Sequence, residues 1–232
     1  MTASPPTVRS VNVGRPREVT WLRRTMRTSI GKHSLAGPVE VLDDGLVGDE
    51  QADPDHHGGA DKAVYAYAAE DYDWWAGQLG RPVPPTSFGE NLTLAGMDLS
   101  RSVVGERWRV GTTVLEVSEP RTPCWKLGMA MGDPLFPRAF CAARRPGVLL
   151  RVIQGGHVRA GDPVVVEHLP GHGVTVSTVF AMYVGDRVDV EAVLAVPGLA
   201  SHWQDWRGHR TVWHLDEEEK RAAEDAQLRT TP

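Results

Sequence analysis

The sequence has little that would suit a membrane-embedded or a secreted protein. Its longest apolar runs, residues 147–150 and 164–166, are far shorter than the ~20 residues that a bilayer-spanning helix needs. The first nine residues are polar and include Pro5 and Pro6, whereas a secretory signal places an apolar stretch behind a basic start. These absences predict a cytoplasmic protein with no membrane partner.

Cysteine is also scarce, since Cys124 and Cys141 are the only two in 232 residues. Two cysteines are too few for a zinc-finger framework or a disulfide scaffold, and a reducing compartment would keep them as thiols. A cysteine with a chemical role in this chain would therefore act singly.

An excess of positive charge is lacking as well. Hydrophobic residues make up 41% of the chain, charged residues make up 24%, and the formal net charge is −5. This composition is typical of a soluble globular protein and gives no electrostatic reason to expect a nucleic acid as its general partner.

Short β-prone segments separated by glycine and proline extend from about residue 7 to residue 168. This pattern favours a sheet-rich, barrel-like domain over a helical bundle. We predict strands over residues 8–13, 38–42, 91–94, 106–110, 114–118, 148–153 and 164–168. The alternating segments 107–110 and 114–117, joined by a turn at Gly111, predict a hairpin. One interior helix is predicted over residues 68–79, because Gly80 and Pro82 follow it as stop signals.

The pattern changes to short helical segments after the Pro-Gly-His-Gly stretch at residues 170–173. Helices are predicted over residues 175–183, 188–196 and 200–210. We therefore expect a mainly β domain with some helix over residues 1–170, a small three-helix domain over residues 171–215, and a charged, flexible tail over residues 216–232.

A glycine-rich and charged stretch over residues 48–62 is the first candidate site. Adjacent Gly58 and Gly59 allow the backbone to approach a ligand and direct N–H groups at an anion, while His57 and Lys62 supply charge or hydrogen bonds. The stretch is typical of a phosphate cradle, although taken by itself it is better explained by a tight turn with solvated charges. A second interpretation is a metal site.

The candidate metal ligands in that stretch are Asp53, Asp55, His56 and His57. Neighbouring histidines in an extended segment point to opposite faces, which disfavours such a site.

Cys124 is the second candidate. Arg121 and Lys126 lie close to it in sequence, and nearby cations favour the thiolate, the form that binds soft metals or attacks electrophiles. A small buried hydrophobe is the alternative interpretation. We assign Cys141, which has apolar neighbours in the sequence, to packing. Asn91 follows a polar break and offers both a donor and an acceptor, although an ordinary turn would explain it too.

Taken together, these segments resemble the MOSC family and, within it, the YiiM-type branch. The resemblance rests on ordered motifs at residues 27–32 (RTSIGK), 45–53 (GLVGDEQAD), 57–64 (HGGADKAV), 88–92 (FGENL), 118–127 (SEPRTPCWKL) and 198–203 (GLASHW). It covers nearly the whole chain except the last fifteen or so residues. The sequence departs from many relatives at Gly31 and Ala60, which bears on the shape of the two loops.

The resemblance implies an irregular β-barrel that binds molybdopterin, followed by a small C-terminal three-helix domain. It implies that Cys124 coordinates molybdenum and is the catalytic residue. The implied cofactor-binding residues are His57, Gly58, Gly59, Lys62 and Asn91, with Thr28, Lys32 and Arg121 as helpers.

The implied activity is the reduction of small N-hydroxylated compounds, such as N-hydroxylated purines, to amines with electrons from a flavoprotein. A homodimer is among the assemblies that the sequence allows. Two other functions stay open: a non-catalytic carrier of molybdenum cofactor or sulfur, and a metal-dependent hydrolase that uses Asp53, Asp55 and His57.

Overall fold

The computed structural model describes residues 5–53 and 58–206. Within them, thirteen strands and five α-helices alternate with short 3₁₀ turns. The strands are β1 (Thr7–Val13), β2 (Arg17–Trp21), β3 (Arg24–Thr28), β4 (His33–Ser34), β5 (Val39–Leu42), β6 (Gly45–Leu46), β7 (Val64–Ala68), β8 (Leu92–Ala95), β9 (Arg107–Val110), β10 (Thr113–Pro120), β11 (Val148–Gln154), β12 (Gly156–Val158) and β13 (Val164–His168). The helices are α1 (Ala69–Leu79), α2 (Trp125–Met131), α3 (Phe136–Ala143), α4 (Val176–Val184) and α5 (Val190–Leu194). In the described part of the chain, no helix is long and apolar enough to span a membrane.

The main sheet has eight strands in the order β13-β9-β10-β11-β7-β8-β1-β4. Neighbouring strands in it are antiparallel, except that β7 and β8 are parallel. Two hydrogen bonds join the start of β1 to the start of β13, although these strands are far apart in the sheet order. The Val8 N–H donates to the Asp162 carbonyl (2.9 Å), and the Val164 N–H donates to the Pro6 carbonyl (2.8 Å), so the sheet curves strongly. The mixed sheet-and-helix class is confirmed. The described strands do not form a continuously closed barrel, so the irregular barrel stays a prediction.

Strand β7 shows how the sheet separates two cores. All five of its residues are buried, and the period of two sends alternate side chains to opposite faces. Val64, Ala66 and Ala68 join an aliphatic core with strands β1, β8, β10 and β11. Tyr65 and Tyr67 instead join an aromatic cluster with Trp75 of α1 and with Phe136 and Phe140 of α3.

Several predicted elements are confirmed. The hairpin of β9 and β10 pairs Val110 with Thr113 across the Gly111 turn. Helix α1 ends at Leu79, and Gly80 follows in the left-handed conformation. The sequence did not predict β7, the hairpin of β2 and β3, or helices α2 and α3.

The segment after residue 171 contains α4, α5 and a 3₁₀ helix at Ser201–Asp205. Thr175 and Asp189 cap the starts of the two α-helices with their side chains, and both residue types are favoured at this position. The apolar side chains of α4 and α5 form a third core with Trp203 and with Val104 from the sheet domain. The three-helix domain and the stated boundaries remain predictions, and residues 207–215 and the tail lie outside the described residues.

Candidate functional site

A cavity of about 240 Å³ opens between the loops at one end of the sheet. Its wall combines the loop after β3, the loop after β6, the start of β7, the turn before β8, and the end of β10 with the loop that follows it. Four cations lie on this wall: Lys32, Lys62, Arg121 and Lys126. Since loops on a rigid sheet commonly carry binding residues, this cavity is the candidate site.

Asp49, on the cavity wall, connects three separate segments. Its Oδ1 accepts from the Gly14 N–H (2.7 Å), its Oδ2 accepts from Asn91 Nδ2 (2.8 Å), and its carboxylate forms an ion pair with Lys32. The side chains of Asp49 and Lys32 are each only 8% exposed. Burial lowers the pKa of Lys32, while Asp49 acts in the opposite direction. A buried pair of this kind fixes the geometry of the wall.

Asn91 is positioned by a tight turn and is itself largely occupied by protein contacts. Gly89 adopts a φ of +79°, and a Cβ there would lie 3.1 Å from Ile30, so glycine suits this turn. The Asn91 Oδ1 accepts from the Tyr65 N–H (3.1 Å), and its Nδ2 donates to the Asn12 carbonyl (3.3 Å) as well as to Asp49. Asn91 therefore lines the cavity chiefly as a brace between strands.

Cys124 lies on the cavity wall, half-buried, immediately before α2. Lys126 is 8% exposed, and its Nζ lies 4.0 Å from Asp53 Oδ2. The Arg121 guanidinium lies over the rings of Tyr65 (5.9 Å) and Phe140 (5.3 Å). The cavity wall thus carries a thiol together with cationic side chains.

Cys141 has a different environment. It lies on α3 against the aromatic cluster, half-buried. Burial raises its pKa to about 11, with a partial opposing effect from Arg144 and Arg121. The thiol is therefore protonated at neutral pH, which fits the prediction that Cys141 serves packing.

Five predicted site residues meet on the cavity wall: Lys32, Lys62, Asn91, Arg121 and Cys124. The other predicted residues that the structure describes do not line it. Thr28 is buried, and its Oγ1 accepts from the Ile30 N–H (3.1 Å), so it shapes the loop behind the wall. Gly59 is exposed and precedes the 3₁₀ turn Ala60–Lys62, and neighbouring Gly58 is also absent from the wall. His57 lies outside the described residues.

Sequence reasoning missed several wall residues, among them Asp49, Tyr65 and Glu119. Asp49 and Glu119 lie inside the motifs that were singled out, so an acidic residue within a motif was the available signal. Nothing in the spacing distinguishes Tyr65, because its role depends on the pairing of β7 with β11.

Buried polar atoms concentrate around the cavity. Over residues 5–53 and 58–206, seven buried side-chain atoms lack a hydrogen-bond partner, and four of them belong to wall residues. These four are Ser29 Oγ, Gln51 Oε1, Glu119 Oε1 and Arg121 Nη1. Buried polar groups are normally paired, so their concentration here indicates a site that receives a polar ligand.

The hydrolase alternative finds no support among the described residues, in which no group of three or more His, Cys, Asp or Glu side chains could hold a metal ion. Asp55, His56 and His57 lie outside them.

Known proteins with similar sequences and structures identify the family of this chain. The sequence profile of the MOSC domain matches residues 53–165. The Bacillus subtilis protein YflK is 31% identical over 200 residues, which cover 86% of this chain and 90% of that protein. Escherichia coli YiiM is 31% identical over 182 residues, which cover 76% of this chain and 81% of that protein.

A Gibberella moniliformis protein named Reductase is 32% identical over 148 residues, 62% of this chain but only 26% of that protein. The crystal structure of YiiM from Geobacillus stearothermophilus superposes with a TM-score of 0.72 at 30% identity, covering 86% of this chain and 96% of that one. The chain therefore belongs to the MOSC family and is homologous to YiiM.

Proposed function

We propose that this protein is a molybdenum cofactor-dependent oxidoreductase that reduces small N-hydroxylated compounds, such as N-hydroxylated purines, to amines with electrons from a flavoprotein. The observation that carries the proposal is the position of Cys124 on a cavity wall that also bears Lys32, Lys62, Arg121 and Lys126. Membership of the MOSC family implies an association with the molybdenum cofactor. The similarity to a protein named Reductase agrees with an oxidoreductase-like role.

The donor set suits the cofactor. A cysteine thiolate is a soft ligand, and molybdenum bound to a pterin dithiolene already has a sulfur environment. The pterin phosphate is an anion, and the buried Arg121 Nη1 has no hydrogen-bond partner within the described residues. In this proposal Cys124 holds the metal, while Arg121, Lys62 and Lys126 hold the anionic part. When bound, the cofactor would supply a two-electron reduction coupled to removal of an oxygen atom.

The residues of the chain would do the remaining work. Lys32 and Asn91 act through Asp49, which fixes the loops around the cavity. Tyr65, Phe88 and Leu149 give the wall an apolar part against which a flat heterocycle could pack. The proposed roles of His57, Gly58, Gly59 and Thr28 rest on the family resemblance, which makes the backbone N–H groups of Gly58 and Gly59 the donors to the anion.

The same proposal includes the irregular barrel, the C-terminal three-helix domain and a cytoplasmic location. It also includes assembly of the protein as a homodimer. Its main competitor is a non-catalytic carrier of molybdenum cofactor or sulfur, because a single half-buried thiol at a cavity could equally hold a persulfide.

The test uses full-length protein purified from a host that makes the molybdenum cofactor. An N-hydroxylated adenine is supplied with reduced methyl viologen, and the amine is quantified by chromatography. We expect one amine per two electrons consumed. Molybdenum-loaded protein that forms no amine would favour a cofactor carrier. A persulfide on Cys124 without molybdenum would favour a sulfur carrier, and either result would overturn the enzymatic proposal.

A further inference from the structure

Glu119, near the end of β10, is a buried carboxylate on the cavity wall. Its side chain is 2% exposed. One carboxylate oxygen, Oε2, accepts from Trp203 Nε1 (2.8 Å) and lies 3.2 Å from His202 Nε2. The other oxygen, Oε1, is buried, with no partner among the described residues. One half of the group is thus fixed by protein contacts, and the other half has no partner among the described residues.

His202 connects this carboxylate to solvent. Its side chain is 50% exposed, although it contacts a carboxylate that is almost fully buried. Histidine exchanges protons near neutral pH more readily than other side chains, and an exposed ring can equilibrate with water. His202 and Glu119 therefore provide a two-step path for protons from the surface to the cavity.

The 3₁₀ helix that carries His202 and Trp203 is held firmly against the sheet domain. The Ala200 N–H donates to the Ser118 carbonyl (3.2 Å), and the Ser201 N–H donates to Asp61 Oδ2 (3.1 Å). Trp203 is buried in the C-terminal core. Because both ends of the contact are anchored, the distance from His202 to Glu119 is set by the fold.

We propose that Glu119 is the catalytic proton donor of the cavity, and that His202 is a positioning residue that returns protons to it from solvent. This inference rests on the proposed function. Reduction of R–NH–OH needs two electrons, from the flavoprotein reductant, and two protons. The N–O bond breaks, the nitrogen takes one proton from solvent water to form the new N–H bond, and the oxygen leaves as water. Glu119 gives the other proton to the departing oxygen, and His202 takes up a proton from solvent and re-protonates Glu119.

The charges around Glu119 allow this role. The other charged residues on the wall are Lys32, Asp49, Glu50, Lys62, Arg121 and Lys126. Lys32 is paired with Asp49, and Lys126 lies near Asp53. Glu119 is thus the wall carboxylate that joins the cavity to a histidine at the surface.

The decisive variant is Glu119→Gln in the cofactor-loaded, full-length protein. The amide keeps the size of the side chain, and its oxygen can still accept from Trp203, so thermal unfolding and molybdenum content should match the wild type. Loss of a general acid typically costs about 10²–10⁴-fold in rate. We expect kcat with reduced methyl viologen to fall at least about 100-fold, while KM changes less than about 3-fold.

A second pair of variants separates proton supply from structure. His202→Gln should lower kcat by about 10-fold, and added imidazole should restore most of it, because a small base can replace a proton carrier but not a packing contact. His157→Gln and Glu167→Gln, exposed residues on β12 and β13, are the matched controls and should leave kcat unchanged. Binding of the N-hydroxylated adenine to oxidised protein, measured by calorimetry, should be unchanged in Glu119→Gln.

The outcomes are distinguishable. Wild-type protein that is loaded with molybdenum but reduces no N-hydroxylated substrate overturns the proposed function, and this inference falls with it. Active wild type with an equally active Glu119→Gln overturns the inference alone. Loss of molybdenum or of the fold in Glu119→Gln, together with a His202→Gln variant that imidazole does not rescue, shows that both residues are structural and also overturns it.

Discussion

The surroundings of Cys124 and of Cys141 are the most instructive contrast in the molecule. Both thiols are half-buried, and both lie in or beside the short helices that follow β10. Cys124 borders a cavity with four cations, whereas Cys141 packs on an aromatic cluster, and burial raises its pKa to about 11. Arg121 takes part in both environments, because its guanidinium lies over the ring of Phe140 and its side chain also lines the cavity. Neighbouring side chains, rather than residue type or depth, distinguish a candidate ligand from a packing residue.

Exchanging sulfur for oxygen at each site should give the largest effect. Cys124→Ser should abolish reduction of an N-hydroxylated adenine, a loss greater than the roughly 10–100-fold that outer partners of a metal ligand are worth. Cys141→Ser should keep most activity. Turnover with reduced methyl viologen measures both, and thermal unfolding confirms that the fold survives. Loss of activity in Cys141→Ser with retention in Cys124→Ser would reverse the assignment.

The chemical reactivity of Cys141 tests the same contrast without the cofactor. Burial raises the pKa of this thiol to about 11, so the thiol stays protonated at neutral pH. At pH 8 we expect iodoacetamide to modify it roughly 100-fold more slowly than a free thiol, since only the thiolate reacts. Mass spectrometry of the cofactor-free Cys124→Ser variant isolates this rate, and unfolded protein gives the reference. A rate close to that of the unfolded chain would show that the aromatic cluster does not shield Cys141.

The rigidity of the cavity wall can be tested through its buried ion pair. Asp49→Asn leaves Lys32 buried without its anion, and losing one partner of such a pair costs about 3 kcal/mol of folding free energy. Neighbouring Glu50→Gln is the matched control, because Glu50 is 56% exposed and only 3.5 Å from Arg15 in a surface pair. Its effect should stay within about 0.5 kcal/mol. Urea unfolding measures both, and equal stabilities would contradict the structural role given to Asp49.

Replacement of Glu90, which lies behind the cavity wall, should have a smaller, pH-dependent effect on the free energy of unfolding. Burial raises its pKa to about 6, above the ordinary value of 4.5, despite hydrogen bonds from Tyr72 and Thr93. The folded protein therefore binds this proton more tightly than the unfolded chain, so ionisation of Glu90 costs stability as pH rises through 4.5 to 6.

Between pH 4 and pH 7.5, Glu90→Gln should therefore gain about 2 kcal/mol relative to the wild type. Exposed Glu18→Gln should show no such change. Urea unfolding at the two pH values gives the difference, and a constant offset between variant and wild type at both values would refute it.

The sequence predicted the parts of the fold that are governed by local signals. The β9 and β10 hairpin has clean alternation and a glycine turn, and α1 has a glycine stop. Strand β7 escaped prediction because it is buried on both faces and follows a glycine-rich loop. Helices α2 and α3 have no side-chain cap at their starts and fewer than nine residues each. Elements as short as these are stabilised by tertiary packing, which a local pattern does not show.

The site was predictable only in part for the same reason. Cys124, Arg121 and Lys62 lie in recognisable motifs, and the structure brings them to one cavity. The contacts of Asp49 with Gly14 and Asn91, and of Glu119 with Trp203, join residues that are distant in sequence. Such pairings depend on the strand order and on docking of the C-terminal helices, and the residue spacing within one segment predicts neither.

Metal and pterin content is the measurement that bears most directly on the central claim, that Cys124 anchors a molybdenum cofactor in this cavity. Wild type, Cys124→Ser and Cys141→Ser are purified from a host that makes the cofactor. Molybdenum is measured by mass spectrometry and the oxidised pterin by fluorescence. Wild type and Cys141→Ser should carry both in equal amounts, and Cys124→Ser should carry little molybdenum. A wild type without molybdenum or pterin, or a Cys124→Ser variant that holds as much molybdenum as the wild type, would contradict the claim.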